Sequence, residues 1–365
     1  MPSPAIHRRH DPASQVRYQG AKRLASNQET VLTGTPGTLK KRTQSGKQYW
    51  VREYIRADGK KTDQYIGAAS SIDEEEIRRI ESQIELARSL ASASSSLRLF
   101  GYQRIDRKPA AVIEMLANKG GFQAGLTLVG SHAYGVLLNE LGIIAPGYKT
   151  EDIDLARTRP LAMALSNGVT FETLLRETGL QFAPIPGLPA HQASGSFKLP
   201  GAATLAVDLL VPGGETGKVL AVRELGAYAQ TIPWLDYLVD DALQSIVLSP
   251  NQVIPVRVPS PERFLVHKLF SSQSRRKVDR DKTRKDLQQA AILAVALEEE
   301  TPGKIQEAFD RLPDAARPAA RKGAIATIKL LDENYPEAKM ALEAISRKKR
   351  IWPQRVNSRT PSTPR

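Results

Sequence analysis

Three aspartates in two short stretches have the types and spacing to do chemistry: Asp152 and Asp154 in TEDIDLAR, and Asp208 in TLAVDLLVP. Alternate side chains of a strand share a face, so Asp152 and Asp154 should point one way while Ile153 and Leu155 turn into a core. Val207, Leu209 and Val211 take the apolar positions of the second stretch and leave Asp208 free to face the other two acids. Ionised carboxylates this close repel, and the repulsion is relieved by a raised pKa or by a bound divalent cation. Hard oxygen donors favour magnesium or manganese. Upstream, Gly130-Ser131 opens a helical stretch, where a glycine lets phosphate approach the backbone and a helix N-terminus offers unpaired N–H groups.

These residues need elements to position them. From 122 to 215 the pattern reads strand (126–129), helix (131–141), strand (152–156), a helical stretch, a polar hairpin near 180–199, then the Asp208 strand. Upstream, residues 36–68 read as three short antiparallel strands with turns at Ser45-Gly46 and Asp58-Gly59. The middle strand places Trp50, Arg52, Tyr54 and Arg56 on one face, a candidate nucleic-acid platform in which arginines meet phosphate and rings stack on bases. Packing of Trp50 and Tyr54 on the next helix would explain the same face. That helix is expected after Ser71 as N-cap with Glu74 completing a capping box, followed by a serine-rich break at 92–96 and more helix to about Asn118. Downstream of 234 the pattern is largely helical, interrupted by an extended stretch at 253–258, with Ser260-Pro261 starting a helix that runs to about Arg275.

The resulting division is a disordered arm (1–35), a basic β module (36–68), a helical linker region (69–118), the acid-bearing α+β unit (119–215), a mainly helical unit (216–346) and a disordered basic tail (347–365). The net charge of +13 is unevenly placed: residues 68–346 hold thirty-two bases against thirty-four acids, so electropositive surface belongs to the ends. There is no cysteine, which excludes disulfides, thiol catalysis and a cysteine zinc site and suits the cytosol. The longest apolar runs are too short to cross a bilayer.

Taken together, LTLVGSHAYG, TEDIDLAR and AVDLLVP resemble the DNA polymerase β-like nucleotidyltransferase superfamily. VPSPERFLVHKLFSS followed by KTRKDLQQAAIL is similar to an uncharacterised bacterial nucleotidyltransferase family with a fused helical half. The resemblance covers roughly residues 98–300, and it implies an α+β fold: a palm of mixed sheet with flanking helices, a helical C-terminal half and a small N-terminal antiparallel β module. It further implies that Gly130 and Ser131 contact the triphosphate of an NTP, that Asp152, Asp154 and Asp208 hold Mg2+ (or Mn2+), and that Lys268 reaches the phosphates. The Lys285-Asp286 pair is a further motif of this kind. Arg275 belongs to a basic run at 275–285 that could clamp phosphates or an acceptor, although a solvated surface between helices would carry the same run.

The expected activity is magnesium-dependent transfer of a nucleoside monophosphate from an NTP to an acceptor hydroxyl, with RNA the preferred acceptor. Transfer of AMP or UMP to a protein hydroxyl and a noncatalytic nucleic-acid-binding module are the alternatives. The same superfamily also includes minimal toxins, so a toxin or defence pair is a further possibility from resemblance.

Overall fold

The computed structural model describes residues 5–147, 152–161, 169–186, 193–201, 205–274 and 280–347. A two-residue strand, Arg8–Arg9, pairs antiparallel with Ile143–Ile144 and leads into helix α1 (Pro12–Ser26), capped by Asp11, whose side chain accepts from the Ser14 amide. The residues Tyr18, Ala21 and Ala25 fall on one face and bury against Leu90, Leu97, Ile246, Leu248 and Val253. The expected disordered arm is therefore corrected over this span: Asp-Pro is a helix start signal, but a stripe of alanines around a single tyrosine gives weak apolar periodicity. Lys22 Nζ donates to Glu140 at 2.7 Å and Tyr18 Oη donates to the same carboxylate at 2.9 Å.

A three-stranded antiparallel sheet follows, formed by β1 (Thr38–Gln44), β2 (Lys47–Ile55) and β3 (Lys61–Ala68). Helix α2 (Glu74–Leu99) starts two residues later than expected, because the Asp73 carboxylate, not Ser71, accepts from the Glu76 amide. It also runs unbroken through 92–96, where Ser95 Oγ bonds back to Ala91 O and Ser94 Oγ donates to Ser249 O at 2.6 Å. Helix α3 (Arg107–Asn118) is buried from Pro109 to Leu116 and shares one hydrophobic core with the elements that follow, so residue 119 marks no separate core.

The central sheet is seven-stranded and mixed. Its members used below are β4 (Thr127–Val129), β5 (Ile153–Ala156), β6 (Ser196–Lys198), β7 (Ala206–Pro212), β8 (Val219–Val222) and β9 (Ala227–Ile232). Helix α4 (Gly130–Glu140) leaves directly from the end of β4. The main path runs β8-β9-β7-β5-β4, with β7 parallel to both β5 and β9, β5 antiparallel to β4, and β6 antiparallel to β7. The sheet thus extends to Ile232 and crosses the expected boundary at 215/216. Residues 216–258 are largely extended, since a hairpin of β10 (Leu243–Leu248) and β11 (Val253–Val258) comes before the helices.

The helical half comprises α5 (Pro261–Ser274), α6 (Arg280–Glu300), α7 (Lys304–Asp310), α8 (Arg317–Ile328) and α9 (Pro336–Ser346). The Ser260 carbonyl accepts from Phe264 as expected at a helix start, but its hydroxyl is buried without a hydrogen-bond partner, so it does not act as a side-chain cap. Helix α8 meets α5 at Gly323, where a Cβ would overlap the Leu269 backbone, so only glycine permits this approach. Among the described residues, no helix is long and apolar enough to cross a membrane.

Candidate active site

Strand pairing sets the geometry. In the parallel β5–β7 ladder Asp154 is the partner of Asp208, and in the antiparallel β4–β5 ladder Asp154 is the partner of Val129. The flanking residues Ile153, Leu155, Val207 and Leu209 are fully buried, which turns both acids to the opposite face of the sheet. Asp152 lies just before β5, is exposed, and adds repulsion to both of the other acids. The structure therefore brings the three expected aspartates within electrostatic reach of one another.

Burial, then the charge of Asp208, pushes the Asp154 carboxyl up to about 7, against the opposing pull of Lys268 and Lys285. Asp208 is also raised, by burial first, while a hydrogen bond from the Ser196 hydroxyl opposes the shift. Ser196 is the register partner of Asp208 on β6, and its Oγ accepts from Gln230 Nε2 at 2.8 Å. This Gln230–Ser196–Asp208 relay is absent from the sequence reading, because nothing in SFK announces which strand will lie beside Asp208.

Gly130 has φ +66, and a Cβ there would overlap the Asp154 carboxylate, so the turn requires glycine for conformation and for space. Ser131 follows in the first turn of α4. Its Oγ accepts from Lys285 Nζ at 2.6 Å, a contact that joins the helical half to the sheet. The adjacent Asp286 is buried, and its two carboxylate oxygens accept from Lys268 Nζ at 2.6 Å and Ser271 Oγ at 3.3 Å. Successive residues of α6 thus serve two purposes: Lys285 reaches the turn and Asp286 holds Lys268 near Asp154. The neighbouring His132 is held down to about 4 by burial and by Lys285, which keeps its ring neutral at physiological pH.

Other expected sites fare differently. Arg52 is 2% exposed and donates to Gln64 Oε1 and to the backbone oxygens of Thr33, Thr35 and Pro36. The irregularity opposite Trp50 and Val51 lies in β3, where Ile66 is skipped between Gly67 and Tyr65, so the alternation of β2 holds and Arg52 shares a face with Tyr54. Arg56 pairs with Asp58 at 2.5 Å, and Arg52 stacks 4.1 Å over the Tyr54 ring. Arg52 is therefore corrected from a phosphate contact to an internal fastener for residues 33–36, while Trp50, Tyr54 and Arg56 remain partly exposed. Arg275 lies outside the described residues.

Among the described residues, no group of three His, Cys, Asp or Glu side chains is arranged to hold a metal ion as a finished cage. The donor set still fits magnesium, which is commonly held by one or two carboxylates and completed by water and substrate phosphates. Two carboxylates forced together, one of them raised to about 7, form the charge arrangement that a divalent cation relieves. Cations on two helices, a serine hydroxyl and a helix N-terminus stand beside the pair, and this combination suits a polyphosphate.

A family model described as "Nucleotidyltransferase" matches residues 107–313, more than half of the chain. The crystal structure of an antigenic nucleotidyltransferase-like protein from Paracoccidioides brasiliensis is similar over 65% of this chain and 92% of that one, at 16% identity and a TM-score of 0.37. No curated protein matches.

Proposed function

This chain belongs to the nucleotidyltransferase family and is a transferase, and on that premise we propose that it moves a nucleoside monophosphate from an NTP to an acceptor hydroxyl with the help of magnesium, in the manner of the DNA polymerase β-like superfamily. The observation that carries this reading is the pairing of Asp154 with Asp208 across parallel strands beside Gly130-Ser131, with Lys285 already on the serine. Asp154 and Asp208, joined by Asp152, would hold the cation, which supplies charge neutralisation between carboxylates and triphosphate.

The chain's own residues account for the rest. The α4 N-terminus, Ser131 and Lys285 would bind the leaving phosphates, and Lys268, fixed by Asp286, would add positive charge next to Asp154. Asp208, beside Asp154 on the neighbouring strand, would take the proton of the acceptor hydroxyl. Holding both reactants on one rigid sheet lowers the entropic part of the barrier.

RNA is the proposed acceptor, supported by the net charge of +13. The test incubates the protein with each labelled NTP, magnesium and total RNA, with Asp154→Asn as control. Label on RNA that the control lacks supports the reading. Label on protein would instead point to AMP or UMP transfer to a side chain, and equal signals from both proteins would end the catalytic reading.

A further inference from the structure

A second cavity lies at the other end of the acid-bearing strands. Its wall includes Thr127, the first residue of β4 and the register partner of Ala156, whereas the aspartate pair lies beside Val129 at the opposite end. It is an open cleft of about 510 Å3 lined by four arginines: Arg159, Arg257, Arg263 and Arg311. That volume accommodates a small-molecule ligand.

The arginines are not equivalent. Arg263 is buried and committed to structure: it stacks over the Tyr237 ring, donates to Tyr237 O at 2.9 Å, and meets Asp240 at 3.0 Å and Asp241 at 2.8 Å. Arg311 shares Asp241 at 3.1 Å. Together they make a neutralised floor. Arg257 is different. It projects from β11 between the fully buried Val256 and Val258, and its Nε is buried with no hydrogen-bond acceptor. A buried donor without a partner is a cost of roughly 1–3 kcal/mol that folded proteins rarely carry without reason. Arg159 is exposed at the rim with its guanidinium against Gly125. Asp236 and Asp240 also line the cavity, and Asp240 is taken by Arg263, so the four arginines outnumber the lining acids.

We propose that this cavity is an anion site in which Arg257, assisted by Arg159, binds a phosphate group. The planar guanidinium fork matches two phosphate oxygens, and one of them supplies the acceptor that Nε lacks. The phosphate belongs either to a free nucleotide or to the backbone of a nucleic acid. The site is separate from the transfer chemistry and stands whether or not that reading holds.

The test measures binding of ADP and of a ten-nucleotide single-stranded RNA to the full chain by titration calorimetry. Wild type is compared with Arg257→Gln and Arg159→Gln, and with Lys285→Ala as the control for the aspartate site. Loss of a charge-assisted hydrogen bond should weaken binding at least about tenfold in Arg257→Gln. A loss confined to ADP identifies a free nucleotide, and a loss confined to RNA identifies a nucleic-acid phosphate. Arg257→Lys, which keeps the charge without the fork, should recover less than half of the lost binding free energy. Unchanged affinity for both ligands in an Arg257→Gln protein that melts with the wild type overturns the proposal, as does a loss seen only in Lys285→Ala.

Discussion

Lys285 Nζ donates to Ser131 Oγ at 2.6 Å across 154 residues of sequence, so the turn after the first acid-flanking strand is held by a helix from the other half of the chain. In the proposed reaction the same ammonium would pass from serine to phosphate. Lys285→Ala should then raise KM for the NTP at least about tenfold while the fold persists, because the side chain is only partly buried. Initial rates against NTP concentration, with a thermal melt alongside, check this.

Lys268 should behave otherwise. Its removal takes the ammonium from the buried Asp286 carboxylate, and removing one partner of a buried ion pair costs about 3–5 kcal/mol. Lys268→Ala should therefore lower stability in urea titrations and activity together, whereas Lys268→Ala combined with Asp286→Ala should recover much of the stability and none of the activity.

Asp154→Asn is expected to reduce transfer at least about a hundredfold. The same change should stabilise the protein at alkaline pH. The folded carboxyl titrates near 7, well above an ordinary aspartate, so its stabilising contribution is complete at acid pH and is lost as pH rises through about 7. Urea unfolding at pH 5 and pH 8 should show the wild type losing stability over that window and the variant losing less. A variant that loses as much as the wild type would contradict the crowding of the two acids.

Glu114, held by Thr33, Asn118 and Gln252, gives an independent check. It is 3% exposed, accepts from Thr33 Oγ1 at 3.0 Å and Asn118 Nδ2 at 2.8 Å, and is pushed up to about 7 by burial. A raised carboxyl again favours the fold at low pH and costs stability as pH climbs through 7, here by about 3 kcal/mol in all. Glu114→Gln should flatten this part of the pH profile, measured on the same urea titrations.

Gly130→Ala should inactivate without a charge change. A methyl group there meets the Asp154 carboxylate and a left-handed backbone, with a cost of about 1–3 kcal/mol or displacement of the acid. Retained activity with an unshifted melt would show that the turn is not closed on the acid.

The alternation in EDIDLA and AVDLLV was enough to read that the aspartates leave the core and that a glycine turn precedes a helix. Strand order was not legible: Ser196 and Gln230 reach Asp208 only through long-range pairing, which no local period encodes. Alternation places Arg52 on the face of Tyr54 correctly, but it does not encode that residues 33–36 fold over that face and take the guanidinium donors. Helix α1 was missed because alanine burial depends on a partner surface 65 to 230 residues away, not on apolar spacing within the helix itself.

The fastening of residues 33–36 by Arg52, and of α1 beneath the β10–β11 hairpin, carries a practical consequence. Trimming the first thirty-five residues as dispensable would strip the cover from Leu90, Ile246 and Leu248 and leave a guanidinium stranded in the interior. Residues 6–10 are tied in as well, through Ile6 N to Tyr335 Oη, Arg9 to Glu299 and His10 N to Gly142 O, so laboratory versions of this protein should keep them.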